Sequence, residues 1–202
     1  MTMRRKLIEK LGSSAAMNGF RRWCRDKSGI AAVEFAFVVP VLLVSYLGAI
    51  EIGQAIEVNK KVGRSASMVA DLLTQESDVD VSQIRAIMDI GTLILEPYTR
   101  FDLAIEVTAI EVTDETTPKT KVVWSQKLDD GSYSVPYAKG SITTLPASLT
   151  TKGTFIIRVT SELQYQPIIT WVLADRGGKL DMDETYFLRP RVTPRIECTN
   201  CP

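Results

Sequence analysis

The sequence of 202 residues contains no histidine and only three cysteines. Histidine is the commonest general base at neutral pH and a frequent metal ligand, so its absence argues against hydrolase triads, zinc hydrolases and most proton-shuttling schemes. The two cysteines near the C-terminus, Cys198 and Cys201, cannot complete a tetrahedral zinc site by themselves. The Arg-Gly-Gly-Lys run at 176–179 lacks the glycine spacing of phosphate-binding loops and dinucleotide fingerprints. We therefore expect no enzyme, no metal and no cofactor.

Charge is almost missing from one long block. From Gly29 to Ile50 the chain has 22 residues, and Glu34 is the only charged one. At about 1.5 Å per residue, roughly 20 residues cross the core of a bilayer. A secretory signal has an apolar core of only about 7–15 residues and ends at a small-residue cleavage site, which this block lacks. The sequence therefore predicts a retained transmembrane helix over residues 30–52.

The residues before this block are strongly basic. Residues 1–28 carry eight Lys and Arg side chains against two acidic ones, a net charge of +6 in a chain that is formally neutral. Cytoplasmic flanks of membrane helices collect Lys and Arg, which predicts a cytoplasmic leader and a domain on the opposite side of the membrane. Nucleic-acid binding would also suit a basic N-terminus, but the adjacent apolar span makes topology the better interpretation. The expected partner is membrane lipid and not nucleic acid.

Beyond the span the hydrophobic pattern becomes amphipathic. Apolar residues recur at three- and four-residue steps through residues 53–75, with charged residues between them. The pattern predicts one helix from Ile30 to about Gln75, with a bend or local unwinding near Pro40. Its apolar stripe needs a partner surface, which is either this chain's own domain or a neighbouring subunit.

Residues 76–202 are predicted to form a small α+β domain. Its helix begins with a cap at Asp80 or Ser82 and stops at Pro97. Period-two alternation and turn residues predict the remaining elements. They are half-buried strands starting at Phe101, over 121–126 and over 154–165, an exposed connection over 129–153 with room for a short strand, and an edge strand over 185–192. The predicted fold class is thus α+β: a long N-terminal transmembrane and amphipathic helix followed by a small domain with an antiparallel sheet.

Three polar features of this domain are candidates for function. Cys198 and Cys201 form a C-x-x-C pair, for which a structural disulfide is favoured over free thiols because redox motifs normally open a helix. The acidic clusters at 129–130 and 181–184 lack the glycine and distal glutamate of a calcium loop, which favours solvated turn acids. Three arginines interleaved with prolines predict a stiff cationic arm, explained equally well by solubility and by docking on an acidic partner. The three are Arg189, Arg191 and Arg195.

Glu34 is the informative charge. A carboxylate five residues into an apolar segment is expensive to place in lipid and is a functional candidate by default. The alternative is a position close enough to the cytoplasmic interface for the carboxylate to reach water. The spacing alone leaves both open.

The residues around Gly29 resemble the processing site of type IV prepilins, particularly those of the Tad (Flp) branch. The glycine opens the run Gly-Ile-Ala-Ala-Val-Glu-Phe, so that Glu34 lies five residues beyond it. The runs 32–40 and 48–53 are similar to those of TadE-type pseudopilins. TadF and TadG proteins share the N-terminal pattern, but TadG-like chains carry a much larger domain.

The resemblance implies a minor pilin-like structural component required for Tad pilus assembly. A prepilin peptidase would cut between Gly29 and Ile30 and discard residues 1–29, and Glu34 would neutralise the new Ile30 amine of a neighbouring subunit. Phe35, Phe37 and Pro40 would belong to the hydrophobic assembly helix.

The implied partners are the prepilin peptidase, other pilins and pseudopilins, and the Tad inner-membrane assembly platform. The implied location is the inner membrane, with the domain of residues 76–202 in the periplasm or the pilus, where it would contribute to cell adhesion. The alternative is an uncleaved, single-pass, membrane-anchored periplasmic adaptor that recruits a partner through the arginine arm.

Overall fold

The structure is a computed structural model that describes residues 29–98, 101–167 and 178–202. The basic leader over residues 1–28 lies outside the described residues, as does the start of the Arg-Gly-Gly-Lys run. The chain divides into two compact units, Met1–Ala49 and Ile50–Pro202.

Helix α1 runs from Ile30 to Thr74, which confirms the helix predicted from Ile30 to about Gln75. It is continuous through Pro40, so the local unwinding offered as one outcome there is not seen. Proline removes one backbone hydrogen bond, but its fixed φ of about −65° suits a helix. In the second unit, α1 buries one apolar stripe, because its small and branched residues recur at helical spacing. The stripe comprises Val58, Val62, Ala66, Val69, Ala70 and Leu73.

Helix α2, Val81–Leu93, begins with a capping box that confirms the predicted Asp80 cap. The Asp80 carboxylate accepts a 2.8 Å hydrogen bond from the Gln83 amide, and the Gln83 side chain accepts one of 2.9 Å from the Asp80 amide. The helix ends four residues before the predicted stop at Pro97. The Lys61 ammonium of α1 donates hydrogen bonds of 3.2 Å and 2.6 Å to the carbonyl oxygens of Ile94 and Glu96, just after the end of α2.

The described residues contain strands β1 Asp78–Val79, β2 Leu103–Val112, β3 Thr120–Asp129, β4 Ser132–Ser134, β5 Phe155–Tyr165, β6 Leu180–Leu188 and β7 Glu197–Cys198. Five of them form one antiparallel sheet in the order β4-β3-β2-β5-β6. The other two, β1 and β7, form a separate parallel pair that the sequence did not predict. The α+β class and the antiparallel sheet are confirmed.

The strand bounds differ from prediction at two places. The strand predicted from Phe101 begins at Leu103. The strand predicted over 185–192 is wrong in position, because β6 ends before Pro190, which cannot donate to a ladder. The first half of β6 shows little alternation of apolar and polar residues in the sequence. Asp181 and Asp183 lie on its exposed side, and only Met182 between them is buried.

One face of the sheet packs against α1 and α2 and forms the main core. Side chains of successive residues point to opposite faces of a strand, so Ile105 and Val107 of β2 share this face with Val159 of β5. A bulge between β2 and β3 leaves Val123 and Trp124 both in the core cluster. The indole Nε1 of Trp124 donates a 3.0 Å hydrogen bond to the carbonyl oxygen of Ile196, so the core also fixes the C-terminal tail.

Candidate functional site

The Gly29–Ile30 peptide bond lies at the start of α1 and is exposed. The Gly29 carbonyl oxygen accepts the first helical hydrogen bond, 3.1 Å from the Val33 amide nitrogen. No atom lies within 4 Å of the position that a Gly29 Cβ would occupy, and the Ile30 side chain is exposed. Within the described residues, nothing of the first unit covers this bond.

Glu34 lies in the second turn of α1 and is exposed. Among residues 29–98, 101–167 and 178–202, no cationic group forms an ion pair with its carboxylate. Its neighbours along the helix are apolar and equally exposed, with Phe35 and Phe37 showing 69% and 75% of their surfaces. A charge in such a setting needs a partner that the described part of this chain does not supply.

The first half of α1 is long and apolar enough to cross a membrane. A window of 18 residues has a mean hydropathy of 2.3, and none of it is buried within the protein. The exposed large side chains along residues 30–47 leave a continuous apolar surface. They are Ile30, Val33, Phe35, Phe37, Val38, Val41, Leu42, Leu43, Val44, Tyr46 and Leu47.

In the second unit, polar contacts hold α1 to the domain. The hydroxyl group of Tyr165 donates a 2.6 Å hydrogen bond to the Glu51 carboxylate, and that of Tyr98 donates one of 2.9 Å to Glu57. Tyr165 is fully buried, and its ring packs against that of Phe101 with centroids 4.9 Å apart and ring planes tilted by 40°. These two carboxylates of α1 therefore bind tyrosines of this chain.

The sequence did not predict that tyrosines bind the carboxylates of α1, nor that Lys61 binds the carbonyl oxygens after α2. A helical pattern shows which residues of α1 are polar, but Glu51 and Tyr165 are 114 positions apart. No local signal identifies a hydrogen bond across that separation. The amphipathic spacing predicted only that α1 needs a surface, and the described residues show that its buried stripe packs into this chain's own core.

The C-terminal tail passes across the junction of α1 and α2. Cys198 and Cys201 are joined in a disulfide, and Cys198 pairs with Val79 in the β1–β7 ladder. Between the cysteines, the Asn200 side chain accepts a 2.8 Å hydrogen bond from the Val81 amide. This amide belongs to the first turn of α2, where backbone donors lack helical partners. The closed loop thus provides a second cap for α2.

The three arginines of the predicted arm have different surroundings. Arg191 forms an ion pair with Asp71 of α1 at 2.5 Å, and Arg195 forms one with Glu111 of β2 at 2.9 Å. Arg189 is exposed, and among the described residues no carboxylate forms an ion pair with it. Two of the three arginines are therefore paired with carboxylates of this chain.

Acidic residues also line an open cavity of about 700 Å³ at one end of the sheet. Asp102, Asp129, Asp130 and Glu162 lie around it with Lys179. In the described ranges, no group of three or more His, Cys, Asp or Glu side chains is arranged to hold a metal ion. The cavity brings together residues that the sequence separates, and among its described lining residues no hydrogen bond joins a nucleophile to a base.

These features define a class: a chain with a membrane-compatible apolar helix near its N-terminus, followed by an α+β unit that packs against the second half of the same helix. Residues 29–71 match the family model of TadE-like protein, which confirms the resemblance seen in the sequence. The matched segment includes Gly29, Glu34 and most of α1. No curated protein and no solved structure gives a significant match.

Proposed function

We propose that this chain is a minor pilin-like structural component required for assembly of a Tad (Flp) pilus, and that it has no enzymatic activity. The TadE-like match over residues 29–71 suggests a Tad pilus component. The observation that carries the finer role is Glu34, which is exposed on an apolar helix five residues after an exposed glycine and forms no ion pair among the described residues.

Cleavage after Gly29 would create a cation that can pair with Glu34. The new N-terminal amine at Ile30 is an ammonium group near neutral pH. A lone carboxylate within a membrane helix costs several kcal/mol, and pairing with a cation reduces this cost. We infer that the ammonium of one subunit pairs with Glu34 of its neighbour, and that Phe35 and Phe37 pack between adjacent helices. Such pairing would couple processing to assembly.

The proposed topology places the leader in the cytoplasm and residues 76–202 in the periplasm. The net charge of +6 before the apolar block supports this orientation. The Cys198–Cys201 disulfide also supports it, since disulfides persist in oxidising compartments. The prepilin peptidase, other pilins, the inner-membrane platform and lipid are the proposed partners.

The mature N-terminus tests the proposal. We expect the intact mass of membrane-extracted protein, from cells with an active prepilin peptidase, to correspond to a chain that begins at Ile30. Gly29→Leu should block processing because its side chain is bulky. Gly29→Ala is the matched small-residue control and should still be processed. A wild-type chain that still begins at Met1 would contradict the proposal. It would favour an uncleaved periplasmic adaptor that uses Arg189.

Glu34 separates processing from assembly. Glu34→Ala should be cleaved normally and yet lower the number of pili seen by electron microscopy. Glu34→Gln keeps the shape of the side chain and removes its charge. If Glu34 acts by neutralising the Ile30 amine, this variant should form as few pili as Glu34→Ala. Normal piliation of Glu34→Gln would contradict the ion-pair role while leaving processing intact.

A further inference from the structure

The exposed apolar surface of α1 continues beyond its membrane-compatible half. Ile52 and Ile56 lie one helical turn apart and are 64% and 51% exposed. The polar residues between and beside them are turned inwards. Glu51 accepts its hydrogen bond from the buried Tyr165, and Gln54 is half-buried. The outward side of these turns therefore carries apolar groups.

This apolar surface is longer than the hydrocarbon core of a bilayer. From Ile30 to Ile56, α1 has 27 residues and a length of about 40 Å. A hydrocarbon core is about 30 Å thick, and a bilayer with its headgroups measures about 40–45 Å. If α1 crosses the bilayer from Ile30, Ile52 and Ile56 lie at the depth of the headgroups of one leaflet.

Two cations follow on the same side of α1. Lys60 and Arg64 lie about one and two turns beyond Ile56, and both are exposed. Residues four positions apart are neighbours on a helix surface. Helical side chains point back towards the N-terminus, so both cations lean towards the level of Ile56. Long basic side chains near the ends of membrane helices reach the headgroups in this way.

Lys60 and Arg64 are available for an external partner. Lys61, which lies between them in the chain, donates hydrogen bonds to two carbonyl oxygens after α2. In contrast, neither Lys60 nor Arg64 forms an ion pair with a carboxylate of the described residues. The charges of these two side chains are therefore left for an anionic group.

Two carboxylates lie near this side of α1 without pairing with the cations. Glu57 accepts the 2.9 Å hydrogen bond of the Tyr98 hydroxyl group. Glu184 of β6 lies beside Gly63, where a Cβ would be 3.5 Å from its Cγ. Within the described part of the chain, neither carboxylate forms an ion pair with a cation of α1.

We propose that this side of α1 docks on the headgroups of anionic phospholipids, with Ile52 and Ile56 below the phosphates and with Lys60 and Arg64 on them. Continuity with the apolar half of α1 and the order of the groups, apolar first and cationic second, match the layers of a bilayer surface. Such docking would hold the second unit close to the membrane. The inference rests on the part of the proposed function in which α1 crosses a membrane, and not on cleavage at Gly29.

Depth-dependent fluorescence quenching tests the position of Ile52. The full chain, with Cys24→Ser as the background, is labelled with bimane at Ile52→Cys and inserted singly into phosphatidylcholine nanodiscs. A lipid with a nitroxide near the top of its acyl chain should quench this label. The same lipid should not quench a label at Ile142→Cys. Ile142 is exposed and pairs with Lys121, at the end of the sheet opposite Tyr165.

A label at Leu42→Cys separates the possible failures. Leu42 lies in the apolar half of α1, so a nitroxide deep in the acyl chain should quench its label. If Leu42 is quenched and Ile52 is quenched no more than Ile142, the docking is wrong and the membrane crossing stands. If Leu42 is not quenched, the crossing and the docking are both wrong. If the Ile52 label responds only in discs that hold several chains, this side of α1 binds a second copy, which also overturns the proposal.

The headgroup preference tests the role of the cations. The nitroxide is placed either on phosphatidylglycerol or on phosphatidylcholine at the same mole fraction. The ratio of the two quenching constants then reports which lipid is enriched beside Ile52. The basic leader would lie at the opposite leaflet and would not affect this ratio. Two cations near an anionic surface should favour phosphatidylglycerol by roughly 5- to 30-fold.

Lys60→Gln combined with Arg64→Gln should lower this ratio to about one. Lys139→Gln combined with Lys152→Gln is the matched control, because both lysines are exposed and form no ion pair among the described residues. It removes the same charge and should keep the wild-type ratio. Equal ratios in the two double variants, or equal quenching by both lipids in the wild type, would overturn the proposal.

Discussion

The Ser65 hydroxyl group of α1 donates a 2.9 Å hydrogen bond to the Gly91 carbonyl oxygen of α2, where the two helices approach each other closely. A Cβ at Gly91 would lie 2.6 Å from Cγ2 of Val69 and 2.9 Å from Cδ1 of Ile105. Real Cβ atoms are not found this close to carbon. The glycine is therefore required by the packing of both helices on the sheet.

Gly91→Ala should destabilise the second unit. Overpacking costs about 1–3 kcal/mol, which exceeds or offsets the gain of about 1 kcal/mol from better helix propensity. Gly63→Ala is the matched control, because its Cβ would meet its nearest atom at an ordinary 3.5 Å. We expect Gly91→Ala to lower the free energy of unfolding and Gly63→Ala to raise it, as measured by urea denaturation in detergent. Equal stabilisation by both would contradict the close contact.

Tyr133 connects β4 to α2 and should make stability depend on alkaline pH. Burial, and then the hydrogen bond that its hydroxyl donates to Asp89, raise its pKa to about 12. A raised pKa means that the folded state favours the protonated phenol. This contribution is complete below the unfolded pKa near 10 and is lost as the pH rises towards 12.

Tyr133→Phe should remove that pH dependence. Below pH 10 the variant should be less stable by about 1 kcal/mol, the usual net contribution of a hydrogen bond. The difference from wild type should shrink between pH 10 and pH 12 when thermal unfolding is followed by circular dichroism. A constant difference across this interval would show that the phenol does not titrate as proposed.

The disulfide should stabilise the tail that caps α2. Replacing both Cys198 and Cys201 by serine opens a four-residue loop, for which the chain-entropy estimate is about 2 kcal/mol. The amide of Val81 should then exchange its hydrogen faster, because the Asn200 cap is no longer held. A reductant should have the same effect on the wild type, while Cys24→Ser should have none. Unchanged exchange at Val81 would contradict the capping role.

Tyr165 should stabilise the contact between α1 and the rest of the second unit. Tyr165→Phe removes the hydroxyl that binds Glu51 and keeps the ring against Phe101. We expect a loss of roughly 1.5–3 kcal/mol, because hydrogen bonds to charged groups exceed neutral ones. Glu51→Gln retains an acceptor and should lose less. If both variants unfold as wild type does in urea, this hydrogen bond contributes nothing to stability.

The long α1 was the easiest element to predict. Its apolar run and its later amphipathic spacing are local patterns, so both ends were located to within one residue. The Asp80 cap was predicted for the same reason, since a capping box spans only four residues. β6 was misplaced because an edge strand with acids on its exposed side has little hydrophobic alternation.

By itself, the sequence determined the apolar helix, the position of Gly29 relative to Glu34, the α+β class and the antiparallel sheet. Each of these follows from the spacing of residues that are close together in the chain. Only the tertiary structure decided which groups meet: Glu51 with Tyr165, Ser65 with Gly91, and Trp124 with Ile196. Such contacts join residues far apart in the chain, and shape and hydrogen bonding select them only when the elements pack together.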